Sequence, residues 1–392
     1  MTRVSEPPIS FFRSPWLRPM AARDPAEPHR AATPLELLFD LCFVVAVAQV
    51  AAQLHHALSA GHVSSGLVSY VMVFFAIWWA WMGFTWFASA YDIDDVPYRL
   101  TTFVQITGIL MLAAGVPRAF AEHDFTLPVA GYVVMRAGLV SQWLRAARSH
   151  PEGRATALRY AAGIVAIQCA WVGWLFVPEG WRTATFVALG ILDVCVPVFA
   201  EAAWQTPWHP HHIAERYGLF TLIVLGESVL AATLAVQQAL DERETPLALF
   251  GVAGGGLLIV FSVWWLYFAK PAAQFLTSNR VSIPWGYGHY LVFASVAAVG
   301  AGLAVNIDYA THHAHLSHAA AGAAVTVPVA VFLLVLYVLH VRPHHVSLGH
   351  ALLIPGTSVL VLAVTFTGVP VLATGMLVAA LVAVSVWVSR PA

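Results

Sequence analysis

The residues that could do chemistry in this chain are few, and they sit where charge is costly. Residues 35–56 read LELLFDLCFVVAVAQVAAQLHH, an apolar run interrupted by Glu36, Asp40, Gln49 and Gln53. Glu36 and Asp40 are four apart and share one helix face, with Gln49 and Gln53 roughly opposite. Arg136, Asp193 and Glu227 fall near the middle of later apolar runs, and Arg216 precedes Glu227 by eleven residues. Eleven residues are three turns, so those two charges share a stripe about 16 Å long. An uncompensated charge near the centre of a bilayer costs at least about 2.5–3.5 kcal/mol, which makes each of these groups a candidate for ion or proton handling. If Asp40, Asp193 and Glu227 all face the one deep arginine, Arg136, an acid is left over. A surplus acid must be protonated, hold a cation or touch water, and Glu227 leads for that role. The competing reading is structural: Arg136 neutralised by one acid to hold helices together.

Other polar groups carry less. YDIDDVPYR places Asp92, Asp94 and Asp95 ahead of Arg99, which reads as a helix-capping turn or as a loop that engages Arg216 or Arg280. Eighteen histidines cluster in WHPHH, THHAHLSH and HVRPHHVSLGH, without HExxH or CxxC spacing, so neither a metal site nor a cofactor is expected. His289, within WGYGHY, stands inside an apolar run; its aromatic neighbours read as an interfacial belt.

Positioning these groups takes a membrane. Of 392 residues, 59% are hydrophobic and 10% charged, which predicts an all-α, polytopic integral membrane helix bundle. Twelve spans are predicted near 34–57, 68–90, 99–120, 127–148, 154–177, 183–204, 213–239, 247–269, 285–308, 321–341, 347–367 and 369–389. The last two are divided by a Gly-Val-Pro turn alone, so ten or eleven spans stay open. Lys and Arg concentrate at the N-terminus, near 145–159 and at the loops on that side, which predicts both termini cytoplasmic in a bacterial inner membrane. Residues 1–33 are polar, with no apolar stretch of a signal peptide, and are expected to be a disordered tail. Cys42, Cys169 and Cys195 read as small core residues. A net charge of −1 without a basic run gives no reason for nucleic-acid binding. The bilayer is the expected partner.

The two halves of the chain, 34–204 and 205–392, rhyme. FFAIWWAWMGF (74–84) and IVFSVWWLYFA (259–269) carry Trp pairs separated by 186 positions, and Glu36 and Glu215 open the first span of each half. Six spans per half would make the repeat parallel, with a functional site at its interface. Gly251 and Gly255 form a GxxxG step suited to close packing.

The strings PLELLFDLCFVVAVAQVA, ERYGLFTLIVLGESVLAATLA and WWLYF, with DDVPYR and GYVVMR, resemble the bacterial low temperature requirement A family of multi-pass membrane proteins. The resemblance runs over about residues 34–385. The family's name records growth in the cold and implies no transported species. By position, its recurrent polar residues fall on Glu36, Asp40, Arg99, Arg136, Glu215, Arg216, Glu227 and His289. Ala269 stands where the family often has an acid after Tyr-Phe, so no role for that acid carries over. Phe39-Asp40 and the six-plus-six plan also resemble potassium channels with a Phe-Ser-Asp motif, although the Ser is missing here. The expected function is a transporter or channel for a proton, a cation or an ion-coupled small solute. Glu227 and Asp40 would handle the ion, Arg136 would be their counter-charge and Arg216 a mouth residue. The alternatives are a membrane-embedded, lipid-linked enzyme using the acids and His289 as general acid and base, or a structural or sensory protein of cold adaptation.

Overall fold

In bilayer hydrocarbon every backbone N–H and C=O needs an internal partner, and the apolar runs meet that demand as helices. The computed structural model describes residues 16–25, 27, 30–241, 246–342 and 348–388. Among them are twelve α-helices: α1 Pro34–Ser59, α2 Val63–Tyr91, α3 Val96–Ala121, α4 Thr126–Ser149, α5 Arg154–Trp174, α6 Glu179–Glu201, α7 Pro210–Asp241, α8 Pro246–Phe268, α9 Asn279–Ala310, α10 His318–Leu336, α11 Leu348–Ala363 and α12 Pro370–Val388. Each predicted span has its helix, in order. Nine are long and apolar enough to cross a bilayer among the described residues. α4 carries Arg136, Arg145 and Arg148, and α11 has 16 residues.

Caps fix the helix starts. Pro34 opens α1, Thr33 accepts from Glu36 N, and Glu36 Oε2 accepts from Thr33 N at 2.8 Å, a reciprocal capping box. Asp95 caps α3 by accepting from Tyr98 N at 2.9 Å.

Neighbours repeat between the halves. α1 packs on α2 and α3, and the chain then continues α3 on α4, α4 on α5 and α5 on α6; α7 to α12 follow the same sequence of contacts. The tightest approach recurs as well. A Cβ on Gly108 of α3 would lie 2.5 Å from the carbonyl of Gly131 in α4, and one on Gly302 of α9 would collide with the carbonyl of Ala324 in α10. The halves meet where α1 contacts α7 and α9, and they differ in that α8 packs on α12. Gly255 makes that last contact, against the backbone of Val371 and Leu372, while Gly251 faces open space, so the predicted GxxxG step packs through one of its glycines. The matching Trp pairs sit in different surroundings: Trp78 and Trp79 are buried, whereas Trp264 and Trp265 are 45% and 47% exposed. Cys169 and Cys195 are exposed rather than in the core, and Cys42 is half-buried.

The described residues of the tail are ordered against the bundle, where disorder is expected from the sequence. From Trp16 to Thr33 its described residues cross the ends of the helices on the N-terminal face, with Met20 buried. Arg23 N donates to Ala90 O at 2.9 Å, and Arg30 donates to Ala88 O at 2.7 Å and to Ser89 O. The last turn of a helix leaves carbonyls without partners, and these arginines supply donors to α2. Asp95 receives Arg18 N at 2.8 Å and is paired with Arg145, which also donates to Arg18 O. Residues 1–15, 26, 28 and 29 lie outside the described residues.

Candidate functional site

Two buried charge clusters organise the bundle. The first joins the opening helices of the two halves. Arg216 of α7 donates to both oxygens of Asp40 of α1, Nε to Oδ2 at 2.9 Å and Nη2 to Oδ1 at 2.6 Å. Its Nη1 lies 3.1 Å from Glu36 Oε1, an ion pair without hydrogen-bond alignment. His212 Nε2 lies 3.1 Å from the same oxygen, Trp81 Nε1 donates to Asp40 at 2.7 Å, and Arg30 stands 4.0 Å from Glu36. Glu36, Asp40, His212 and Arg216 are wholly buried. Both cross-pairs, Glu36 with His212 and Asp40 with Arg216, are 176 residues apart. An acidic i, i+4 pair thus meets a basic i, i+4 pair in the same order, so α1 and α7 run parallel, each opened by a proline. Arg216 is therefore an interior residue and not at a mouth. Asp40 is neutralised by it rather than by Arg136.

The second cluster lies deep in the first half. Arg136 Nη2 donates to Asp193 Oδ1 and Oδ2 at 3.0 and 2.9 Å and to Tyr132 Oη at 3.0 Å, and Trp171 Nε1 donates to Asp193 Oδ2 at 3.0 Å. Bonding through one nitrogen leaves Nε and Nη1 of Arg136 without a hydrogen bond among the described residues. Arg136 and Asp193 line a cavity between the halves, walled by α2, α4, α5, α6 and the start of α9. The cavity leaves about 70 Å³ to water-sized molecules. Toward the N-terminal face it reaches Glu201 at the end of α6. Asp193 and Glu201 are eight residues apart, which places about 12 Å of helix between them. Glu201 accepts from Tyr160 Oη at 2.9 Å, Thr206 N at 2.9 Å, Thr206 Oγ1 at 2.8 Å and Asn279 Nδ2 at 3.1 Å. Sequence reading missed this acid. Its signal was there: Asp193, Pro197 and Glu201 recur every four residues on one stripe of α6.

The other expected residues are scattered. Arg99 is exposed and bidentate with Asp94 at 2.7 Å, so the acidic loop makes a cap, a local pair with Arg99 and a pair with Arg145 rather than one with Arg216. Burial, reinforced by the charge of Glu36, pushes the Asp92 carboxyl up to about 6. Burial also pushes Asp95 up, but Arg145 and the amides of Arg18 and Tyr98 outweigh it and hold the carboxyl below its usual range. Glu215 is exposed, accepting from Ala32 N at 3.4 Å. Glu227 is half-buried, with no hydrogen bond or ion pair among the described residues. Arg136 does not reach it. His289 is fully buried, with Nδ1 2.7 Å from Trp285 O and Nε2 3.1 Å from Tyr267 Oη. The carbonyl requires a proton on Nδ1, so Nε2 accepts from the tyrosine. Of its neighbours, Trp285 is buried, while the half-buried Tyr287 donates to Val194 O and the half-buried Tyr290 to Val71 O. At the opposite face Asp308 accepts from Ser59 Oγ at 2.7 Å and pairs with His55 at 2.6 Å, tying α1 to α9. Among the described residues no three His, Cys, Asp or Glu side chains gather as metal ligands; His344, His345 and His350 lie outside those whose side chains are described.

Residues 31–387 match the family described as bacterial low temperature requirement A protein. The chain is similar to an uncharacterized protein of Rhizobium meliloti (strain 1021), 29% identical over 265 residues that cover 64% of this chain and 61% of the relative. It thus matches about three-fifths of that relative's length. No solved structure matches.

Proposed function

The chain belongs to the bacterial low temperature requirement A family, and we propose on that footing that it moves a small solute or ion across the bacterial inner membrane. Both termini are cytoplasmic in this reading. The pathway runs through the cavity between the halves, entered near Glu201 and ending at the Arg136–Asp193 pair. The supporting observation is that a cavity extends about 12 Å from the N-terminal face to a charge pair near mid-span, with two Arg136 nitrogens unbonded. Polar residues at such depth mark substrate and ion pathways in membrane proteins. Glu36, Asp40, His212 and Arg216 act in this scheme as the clamp between the halves, because their charges are spent on one another. Glu227 and His289 lie off the pathway.

The test is flux into proteoliposomes holding the purified protein under proton, sodium and potassium gradients, with Asp193→Asn beside wild type. Flux lost in a variant that still elutes as folded protein supports the assignment. Absence of flux from folded wild-type protein under every gradient refutes transport, and undiminished flux in Asp193→Asn refutes the pathway.

A further inference from the structure

We infer that the cavity between the halves binds a small organic cation, an amine or a quaternary ammonium, held by the Glu201 carboxylate within a wall of aromatic rings. The inference deepens the transport reading of the same cavity and rests on it for the purpose of the site. It begins from a charge sum. Three charged side chains line the cavity: Asp193 and Glu201 contribute −2 and Arg136 contributes +1, leaving −1. Asp193 has the arginine. Glu201 has neutral donors alone, Tyr160, Thr206 and Asn279, and no Lys, Arg or His among the described residues pairs with it. Its negative charge therefore has no paired cation at the mouth of the cavity, where the half-buried carboxylate attracts a cation more strongly than it would in open water.

The walls suit that cation. Trp79, Trp86, Trp143, Tyr160, Trp208 and Tyr287 all line the space. Two pairs of them are fixed near the acid. Trp143 stacks on Tyr160 at 4.1 Å between centroids, and Tyr160 bonds Glu201. Trp208 packs edge-on to Trp86 at 5.1 Å and donates to Asn279 at 2.8 Å, which in turn bonds Glu201. A hydrogen-bonded chain thus runs from one aromatic pair through the carboxylate to the other. Ring faces attract cations through their quadrupole, and several rings around one carboxylate are the arrangement that recognises ammonium groups. An anionic solute would meet the surplus negative charge, and a neutral apolar one would leave Glu201 without a counter-charge. Size sets the class further: about 70 Å³ holds roughly five to seven water-sized groups at about 10–15 Å³ each, which suits choline or a small amine.

The experiment is equilibrium dialysis of labelled choline against the purified full-length chain in nanodiscs, with 3,3-dimethylbutan-1-ol, the uncharged carbon analogue of choline, as competitor. Choline is expected to bind saturably, with the analogue weaker by at least about tenfold, the factor that ring and carboxylate attraction supplies. Glu201→Gln should bring choline to the level of the analogue, and Trp143→Leu should weaken it severalfold. The inference is overturned if choline does not bind saturably, if the analogue competes equally, or if folded Glu201→Gln binds as wild type does. Should that variant fail to fold, the wild-type comparison of charged and uncharged ligands decides alone. Flux of another solute that is lost in Asp193→Asn, without choline binding, would retain the transport reading and reject this one. Choline binding without any flux would do the reverse.

Discussion

Arg216→Gln is the substitution for which the structure gives the clearest expectation. The wild-type guanidinium satisfies two buried carboxylates, bonding Asp40 twice at 2.6 and 2.9 Å and approaching Glu36 at 3.1 Å. Without it, Asp40 keeps the Trp81 indole, and Glu36 keeps His212 and an arginine 4.0 Å away. Asp40 is then a buried charge with no cation, a condition that typically destabilises by about 3–5 kcal/mol. At the roughly 2 °C per kcal/mol of a large chain, this is a fall of about 6–10 °C in the apparent melting temperature in detergent, read by fluorescence-detected size exclusion after heating. Adding Asp40→Asn removes the orphaned charge. The double variant should therefore recover about 1–3 kcal/mol relative to Arg216→Gln. A single variant melting within about 2 °C of wild type, or a double variant less stable than the single, would refute the clamp.

Further perturbations reach other parts of the bundle. Gly108→Ala should destabilise by about 1–3 kcal/mol, because its Cβ meets the Gly131 carbonyl at 2.5 Å, whereas Gly254→Ala, with open space around it, should be neutral or mildly stabilising in the same melt. Asp92 has a carboxyl raised to about 6, so its contribution to stability is full in acid and is lost as pH rises through 6. Asp92→Asn should then be more stable than wild type by roughly 1–3 kcal/mol at pH 8 and no more stable below about pH 4; a constant difference across that range would exclude the assignment. Arg145→Ala should remove one of the two ties that hold the N-terminal tail at Arg18, the bond to Arg18 O, and loosen the other, Arg18 N to Asp95, measured as faster proteolysis between residues 16 and 30.

The helices were legible because apolar length and polar turns determine them one segment at a time. Predicted span 3, 99–120, became α3, 96–121, and predicted span 7, 213–239, became α7, 210–241. Partners were not legible, because periodicity gives the face of a residue but not the helix that faces it. By sequence Asp40, Asp193 and Glu227 are alternative partners for Arg136; in the structure the partner is Asp193, two helices on. Arg216, near the start of the seventh helix, resembles an exposed mouth residue in the sequence, because a helix start does not reveal the helix packed over it. Matching Glu36 with Glu215 in the repeat concealed the clamp, which emerges when Pro34 is matched with Pro210 and each acid falls on its base. Glu201 went unnoticed because an acid at the end of a span looks like ordinary solvation.

The clamp also has a history within each round of synthesis. Its acids are made first and its bases 176 residues later, which at about 5–20 residues per second is roughly 9–35 seconds of translation. Through that interval α1 has no α7 to neutralise it, so Asp40 must stay near water or stay protonated until the second half arrives, while Glu36 has Arg30 alone. Asp40 lies about 9 Å from the start of its helix, which keeps it within reach of the aqueous face during the wait. The first half alone, ending before residue 210, is thus a nascent intermediate in which Glu36 has only Arg30 nearby and Asp40 has no cation, and the membrane seating of the first helix is completed by the seventh.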